Sequence, residues 1–303
     1  MTPVDRGHIF EGVGPASGVV LAGGRSTRMG SAKAALEWHG STLLRHVTGV
    51  VGRAVDGPVI VVRAPGQELP ALDPQVLVRD DPEEGRGPMQ GLAVGLAAAA
   101  EHASVAFVCS TDLPFLHSAF VTAVLRGFHP ALASGEPEAS PDVVLPNVRG
   151  YRQPMAAGYR TDLAPRVEKL IDAQRMRPAH LFEEVNVCQL DEATLLADAR
   201  LASADPELDS VLNVNTPDDY RAARARPAPE VVVERYGVLA TRSGPRGPVR
   251  VRAATIGAAA GQVGLTVDGH ILAAINGDQI RGDAESPLEA GDTVSFISAD
   301  AGG

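Results

Sequence analysis

Two adjacent glycines, an arginine and a lysine follow an apolar run in the order Val19-Val20-Leu21-Ala22-Gly23-Gly24-Arg25-Ser26-Thr27-Arg28-Met29-Gly30-Ser31-Ala32-Lys33. Consecutive glycines let the backbone pass close to a phosphate and aim N–H groups at it. Arg28 and Lys33 add fixed positive charge where a triphosphate would lie. No Gly-Lys-Ser/Thr follows, so this is not a Walker loop. Gly-x-Gly-x-x-Gly is absent too, which excludes the dinucleotide fingerprint. Taken alone, a glycine pair is equally a tight turn, and a loop lysine equally a solvated charge. Lys33 is nevertheless one of only two lysines, with Lys169, among 27 Lys plus Arg. Where any positive charge would do, this sequence uses arginine.

Other polar residues lie beside apolar runs. Asp80-Asp81 precede Gly87-Pro88-Met89-Gln90-Gly91. Asp112 lies in Ser110-Thr111-Asp112-Leu113-Pro114, directly after Val105-Ala106-Phe107-Val108. A lone carboxylate at the C-terminal end of a parallel strand sits where α/β sheets bind ligands; a buried capping acid is the alternative. Arg152-Gln153-Pro154-Met155 opens a further apolar run and reads equally as the start of a core strand. In Leu212-Asn213-Val214-Asn215-Thr216-Pro217-Asp218-Asp219, Thr216 suits a helix N-cap and Pro217 the first helical position. The chain closes on Ala301-Gly302-Gly303. Two residues without side chains can thread a narrow channel, or simply fray.

Strands are expected at 18–22, 59–62, 76–78, 105–108, 143–145 and 156–159, with helices at 43–55, 91–102 and 120–128. Apolar strands alternating with helices predict a parallel sheet covered on both faces. The pattern stops near Arg224. The Pro-containing segment Arg226-Pro227-Ala228-Pro229 reads as a semi-rigid linker. Beyond it, strands at 231–233, 248–251, 271–275 and 293–297 and a weak helix at 257–264 predict a small α+β domain. The expected organisation is a tail (1–14), a first domain (15–224), a linker (225–229) and a second domain (230–303).

A net charge of −10 argues against nucleic-acid and anionic-membrane partners. No apolar run is long enough to span a bilayer. Residues 1–14 do not read as a secretory signal, and two cysteines, Cys109 and Cys188, suit neither a zinc site nor a redox pair. The expected compartment is the reducing cytoplasm, with Cys109 a buried core thiol.

The string Gly-Gly-x-x-x-Arg-Met-Gly-x-x-Lys resembles the signature of the nucleotidyltransferase superfamily, and within it the molybdenum cofactor guanylyltransferases. The later segments match that family in order over residues 18–223, with Thr111 departing from the usual residue before the aspartate. The resemblance implies a Rossmann-like α/β domain with a mostly parallel sheet. It also implies a Mg2+-dependent enzyme that transfers GMP from GTP to molybdopterin and releases pyrophosphate. By the same resemblance, Leu21, Ala22, Gly23, Gly24, Lys33, Asp80 and Asp112 contact the nucleotide, with Asp81 the alternative to Asp80. Lys33, Arg28 and Asp112 are the implied catalytic set, Asp112 and Asn215 the metal ligands, and Gln153 and Asn213 the acceptor contacts. Other phosphorylated acceptors, or another base such as cytosine, remain open on this reading, as does a degenerate enzyme domain.

The second domain carries Ile275-Asn276-Gly277, then Pro287-Leu288-Glu289-Ala290-Gly291-Asp292-Thr293-Val294, then the terminal Gly-Gly. This set resembles the ubiquitin-like β-grasp sulfur carriers of molybdopterin and thiamine synthesis. The resemblance implies that Gly302 and Gly303 carry sulfur as a C-terminal thiocarboxylate. The implied partners are an E1-like adenylating enzyme and the molybdopterin synthase large subunit. Ser298-Ala299-Asp300 departs from the family, which often has prolines there.

Overall fold

The computed structural model describes residues 15–23, 33–83, 86–129, 140–242, 247–268, 270–280 and 283–299. Gly24, Arg28, Gly302 and Gly303 lie outside them.

The first domain begins with β1 (Ala16–Leu21) and a 3-10 turn over Lys33–Ala35. A small hairpin, β2 (Glu37–Trp38) and β3 (Ser41–Thr42), leads into α1 (Leu43–Arg53). The chain continues through β4 (Val59–Arg63), β5 (Leu77–Asp80), α2 (Pro88–Ala99), β6 (Val105–Ser110) and α3 (Ser118–Arg126). Next come β7 (Val143–Val148), β8 (Tyr151–Arg152), β9 (Ala156–Arg160), α4 (Ala164–Asp172), α5 (Pro178–Phe182) and β10 (Val187–Leu190). Helices α6 (Glu192–Leu196), α7 (Ala199–Ala204) and α8 (Pro217–Ala225) complete the domain.

The strand order is β10-β7-β9-β6-β1-β4-β5, with β8 on β7. β1 runs parallel to β4 and β6, as β4 does to β5 and β7 to β10. The sheet is mostly parallel, as the resemblance implies; the exception is β9, antiparallel to both β6 and β7. The reason is chain length. Only a short hairpin separates β7 from β9, and a parallel return needs a crossover of about a dozen residues. Helices α1 and α3 bury Leu44, Val47, Phe120 and Val124 on one face of the sheet. Helices α2 and α4 bury Met89, Leu92, Val167 and Leu170 on the other. Helix α2 starts at Pro88 rather than at Gly91, because proline at the first helical position forfeits no hydrogen bond.

After Ala225 the chain crosses to β11 (Glu230–Arg235), α9 (Leu239–Arg242), β12 (Val249–Arg252), α10 (Ile256–Gln262), β13 (Ile271–Ile275), β14 (Asp278–Ile280) and β15 (Thr293–Ser298). They form a five-stranded sheet in the order β12-β11-β15-β13-β14. Only the β11–β15 pair is parallel; its other pairs are antiparallel. Ile256, Ala259 and Ala260 of α10 share a separate core with Val231, Val233, Val294 and Phe296. Strand β14 was not anticipated. It follows from Asn276-Gly277, whose positive φ values of 52° and 94° make the tight hairpin turn that right-handed strand twist favours. No helix among the described residues is long and apolar enough to cross a membrane.

Candidate active site

β1 and β6 are neighbours in parallel register, with Leu21 opposite Ser110. Their C-terminal ends therefore deliver the glycine loop and the Asp112 loop side by side. The junction is pinned where Thr111 donates to the Leu21 carbonyl through both its backbone N–H (3.2 Å) and its Oγ1 (3.0 Å). Ala22 and Gly23 both donate to the Val62 carbonyl at the end of β4. That close approach leaves Gly23 little room, since a Cβ there would lie 3.2 Å from the Ala64 nitrogen.

Lys33 begins the 3-10 turn that follows the glycine loop. Its Nζ lies 3.0 Å from Asp112 Oδ2 and donates to Asn215 Oδ1, also at 3.0 Å. The other Asp112 oxygen accepts from Ser110 Oγ and, at 3.3 Å, from Asn213 Nδ2. The Val214 N–H donates to the Asp112 carbonyl at 3.0 Å, which ties this segment to the Asp112 loop. Three side chains from three distant stretches of sequence thus converge on one carboxylate, and Asn215 joins them through the Lys33 ammonium. The Lys33 and Asp112 side chains are 23% and 15% exposed, so the pair faces solvent and a ligand can reach it.

The Asn213–Asn215 stretch is held by the helix that follows. Thr216 Oγ1 accepts from the Asp219 N–H, and Asp219 Oδ2 accepts from the N–H groups of Thr216 (2.8 Å) and Asn215 (3.1 Å). This is a reciprocal capping box with Pro217 at the first helical position. The bonds from Thr216 and from the two backbone N–H groups hold the Asp219 carboxyl below its ordinary pKa. Thr216 and Pro217 thus have the capping roles expected of them.

Two candidates lie elsewhere. Asp80 ends β5, next to β4, where Arg63 Nε donates to it at 2.6 Å. Asp81 is half-buried, and that burial raises its carboxyl pKa against the pull of the Glu83 N–H. Neither contacts Lys33 or Asp112 by a hydrogen bond or ion pair among the described residues. Gln153 sits in the turn before β9 and donates to the Tyr151 carbonyl at 3.2 Å. That turn borders the site, because the Ser110 N–H donates to Met155 O. Cys109 is fully buried, and burial raises its thiol pKa. It points into the core while Ser110 beside it points to the site.

Ser110 is the residue that sequence reasoning passed over. The available signal was a hydroxyl in the last position of a strand, two residues before a carboxylate. As a metal site, the set offers hard oxygen donors: the Asp112 carboxylate and the Asn215 amide oxygen. No cluster of three His, Cys, Asp or Glu side chains exists among the described residues. One carboxylate with a neutral oxygen fits Mg2+, which takes few protein ligands and fills its shell with water and phosphate oxygens.

Residues 18–187 match the family described as the MobA-like NTP transferase domain. A probable molybdenum cofactor guanylyltransferase of Mycobacterium tuberculosis strain H37Rv is 39% identical over 189 residues, covering 61% of this chain and 86% of that protein. One from Mycobacterium avium strain 104 is 38% identical over 216 residues, covering 69% of this chain and 96% of that protein. Among solved structures, a molybdopterin-guanine dinucleotide biosynthesis protein A from Archaeoglobus fulgidus superposes with a TM-score of 0.50 at 22% identity. That superposition covers 69% of this chain and 96% of the other, and supports the likeness of fold.

Proposed function

Starting from the chain's membership of the MobA-like NTP transferase family, we propose that its first domain transfers GMP from GTP to molybdopterin. One observation carries the reading. The fold brings Lys33 and Asp112 to 3.0 Å at the ends of two adjacent strands, with Asn215 on the same ammonium. The names of the mycobacterial relatives support guanine as the base and molybdopterin as the acceptor.

In this reaction a phosphate oxygen of the acceptor attacks the α-phosphorus of GTP. The bond from that phosphorus to the bridging oxygen breaks, and pyrophosphate leaves with the electron pair. The nucleophile is already an anion, so no proton relay is required, and catalysis rests on position and charge. Lys33 turns from Asp112 to the β- and γ-phosphates, with Arg28 and the loop amides completing the cradle. Asp112 and Asn215 would hold Mg2+, which when bound neutralises phosphate charge. Ser110 and Asn213 keep the Asp112 carboxylate in one orientation, and by the resemblance Gln153 would contact the acceptor. Asp80 would contact the nucleotide through the carboxylate whose Oδ1 accepts from Arg63.

For the second domain we infer a β-grasp sulfur carrier. Its strand order, its parallel β11–β15 pair and the helix α10 packed on the sheet support this, and by the resemblance Gly302 and Gly303 would carry the sulfur. Two cysteines spaced for neither a zinc site nor a redox pair suit a reducing cytoplasm.

Incubation with each nucleoside triphosphate, Mg2+ and molybdopterin, followed by mass spectrometry of the product, tests the enzyme reading. The guanine dinucleotide is expected from GTP alone. Product from CTP instead shifts the base, and no product from any triphosphate removes the reading. Mass spectrometry of the intact chain after incubation with an E1-like enzyme and a sulfur donor tests the carrier. The expected result is one oxygen replaced by sulfur, lost when Gly303 is deleted, with nucleotide transfer unaffected by that deletion.

A further inference from the structure

The segment 283–292 of the second domain lies against α1 and α3 of the first. Asp283 Oδ2 accepts from Arg45 Nη2 at 2.6 Å, and Glu285 Oε2 from Ser41 Oγ at 3.1 Å. The Pro287 ring rests on α1 where that helix has no side chain. A Cβ on Gly49 would lie 2.5 Å from both the Cγ and the Cδ of Pro287. Arg53 donates to both oxygens of Asp292, at 2.7 and 2.6 Å, and lies 3.1 Å from Glu289 Oε2. Asp292 also accepts from Asn276 Nδ2 and the Glu289 N–H.

Glu289 is 5% exposed, and both its oxygens reach into the first domain. Oε1 accepts from the Ser118 N–H at 2.5 Å, and Oε2 accepts from Ser118 Oγ at 2.6 Å. Ser118 is the first residue of α3. A helix start has N–H groups without helical partners, and a carboxylate there makes charge-assisted bonds to them. Capping acids usually come from the residues just before a helix. Here that position holds His117, whose Nδ1 accepts from the Ala119 N–H. The Ser118 amide is left to a carboxylate from the other domain.

The stretch from Asp112 to Ser118 is a single short loop. It is fixed at one end where the Asp112 carbonyl accepts from the Val214 N–H, and next to the other where the His117 N–H donates to Ser210 Oγ. Its other end is fixed by Glu289. We propose that Glu289 is a positioning residue for nucleotide transfer, holding the start of α3 and, through the 112–118 loop, the Asp112 carboxylate. The second domain thereby completes the first domain's active site without touching the substrate. This deepens the reading of the site as a nucleotidyltransferase and rests on it.

The test uses the full chain with GTP, Mg2+ and molybdopterin. Glu289→Ala should lower kcat about tenfold and leave KM for GTP within about twofold, since sub-ångström misplacement acts on the reacting geometry. Amide hydrogen exchange over residues 113–120 should quicken in the same variant. Glu289→Gln, which keeps an acceptor for the Ser118 N–H, should recover most of kcat. Arg250→Ala, which removes an exposed ion pair with Glu230 on the edge strand β12, should change neither quantity. Wild-type kcat with unchanged exchange in a folded Glu289→Ala protein overturns the proposal. If Glu289→Ala does not fold, Glu289→Asp, whose shorter side chain cannot keep both bonds to Ser118, must quicken exchange at Ser118 and slow turnover, or the proposal falls. A wild-type protein inactive with every nucleoside triphosphate condemns the nucleotidyltransferase reading itself, a result distinct from either.

Discussion

Of the places where this molecule sets carboxylates against a basic side chain, two are built to opposite ends. At the C-terminal ends of β1 and β6, Asp112 meets Lys33 with both side chains partly open to water. Between the two domains, Asp292 and Glu289 meet Arg53 with the acids 3% and 5% exposed. In the first, a long flexible ammonium is the partner and can be drawn away by a ligand. In the second, a planar guanidinium grips one carboxylate with two bonds and lies against another. Burial disfavours the Arg53 charge, yet Glu289 and Asp292 outweigh it and hold the guanidinium above its usual pKa range. An exchangeable ion pair suits binding; a closed one fixes shape.

The sharpest way to break this contrast is at Asp112. Asp112→Asn should cut nucleotide transfer about 10^3-fold, on the order of 4 kcal/mol in the barrier. Thermal unfolding should stay within a few degrees of wild type; a large loss of stability would make Asp112 a structural acid like Asp292. The reverse holds at Arg53. Arg53→Ala strands two buried carboxylates and should cost roughly 3–4 kcal/mol in urea unfolding. A cost below about 1 kcal/mol would show that the domain interface is wet and that the contrast is false.

The third expectation concerns pH. His46 of α1 is buried beside Trp38, with no partner for Nε2. Burial, opposed by Glu289 and the Pro114 backbone, lowers its pKa from 6.5 to about 4. Above pH 6.5 the ring is neutral whether the chain is folded or not, and its contribution is constant. Below 6.5 the unfolded chain takes up the proton first, so stability falls until about pH 4, where the folded protein binds it too. The loss amounts to about 3 kcal/mol. Urea titrations at pH 7 and 4.5 measure it, and His46→Gln should flatten the dependence by that amount. Equal pH dependence in the variant would place the acid sensitivity elsewhere. Smallest is the cap: Thr216→Ala should cost about 1 kcal/mol and loosen Asn215. It should raise KM for GTP a few-fold rather than abolish turnover.

The open site was far more legible in the sequence than the closed one. Lys33 and Asp112 announce themselves because a glycine loop and a strand-end acid are local patterns with a direct chemical meaning. Asn213 and Asn215 carry no such meaning alone; resemblance nominated them, and the capping box around Asp219 explains how they are aimed. Asp80 shows the limit of spacing arguments. Its place at a strand end suits a nucleotide contact, and spacing alone did not show that Arg63 on the neighbouring strand pairs with one of its oxygens. Likewise β9 looked like one more parallel strand, and only the brevity of its connection to β7 decided otherwise.

The interface was invisible for a different reason. Arg53 at a helix end reads as an ordinary solvated charge, and Pro287 to Asp292 reads as a turn motif. Nothing local says that each will meet the other more than two hundred residues away. One clue was present. Gly49 interrupts a helix at a cost of roughly 1 kcal/mol relative to alanine, and the Pro287 ring accounts for it.

The parallel pairing of β11 with β15 has a consequence for reach. The linker enters this sheet at the start of β11, beside the start of β15, and Asp292, which Arg53 grips, stands just before β15. Covalent tether and ionic anchor therefore share one end. β15 then runs about 20 Å to the opposite end before the described chain stops at residue 299. The module is fastened like a hinge leaf: its tether and its Arg53 anchor share one side, and β15 carries the chain away from both.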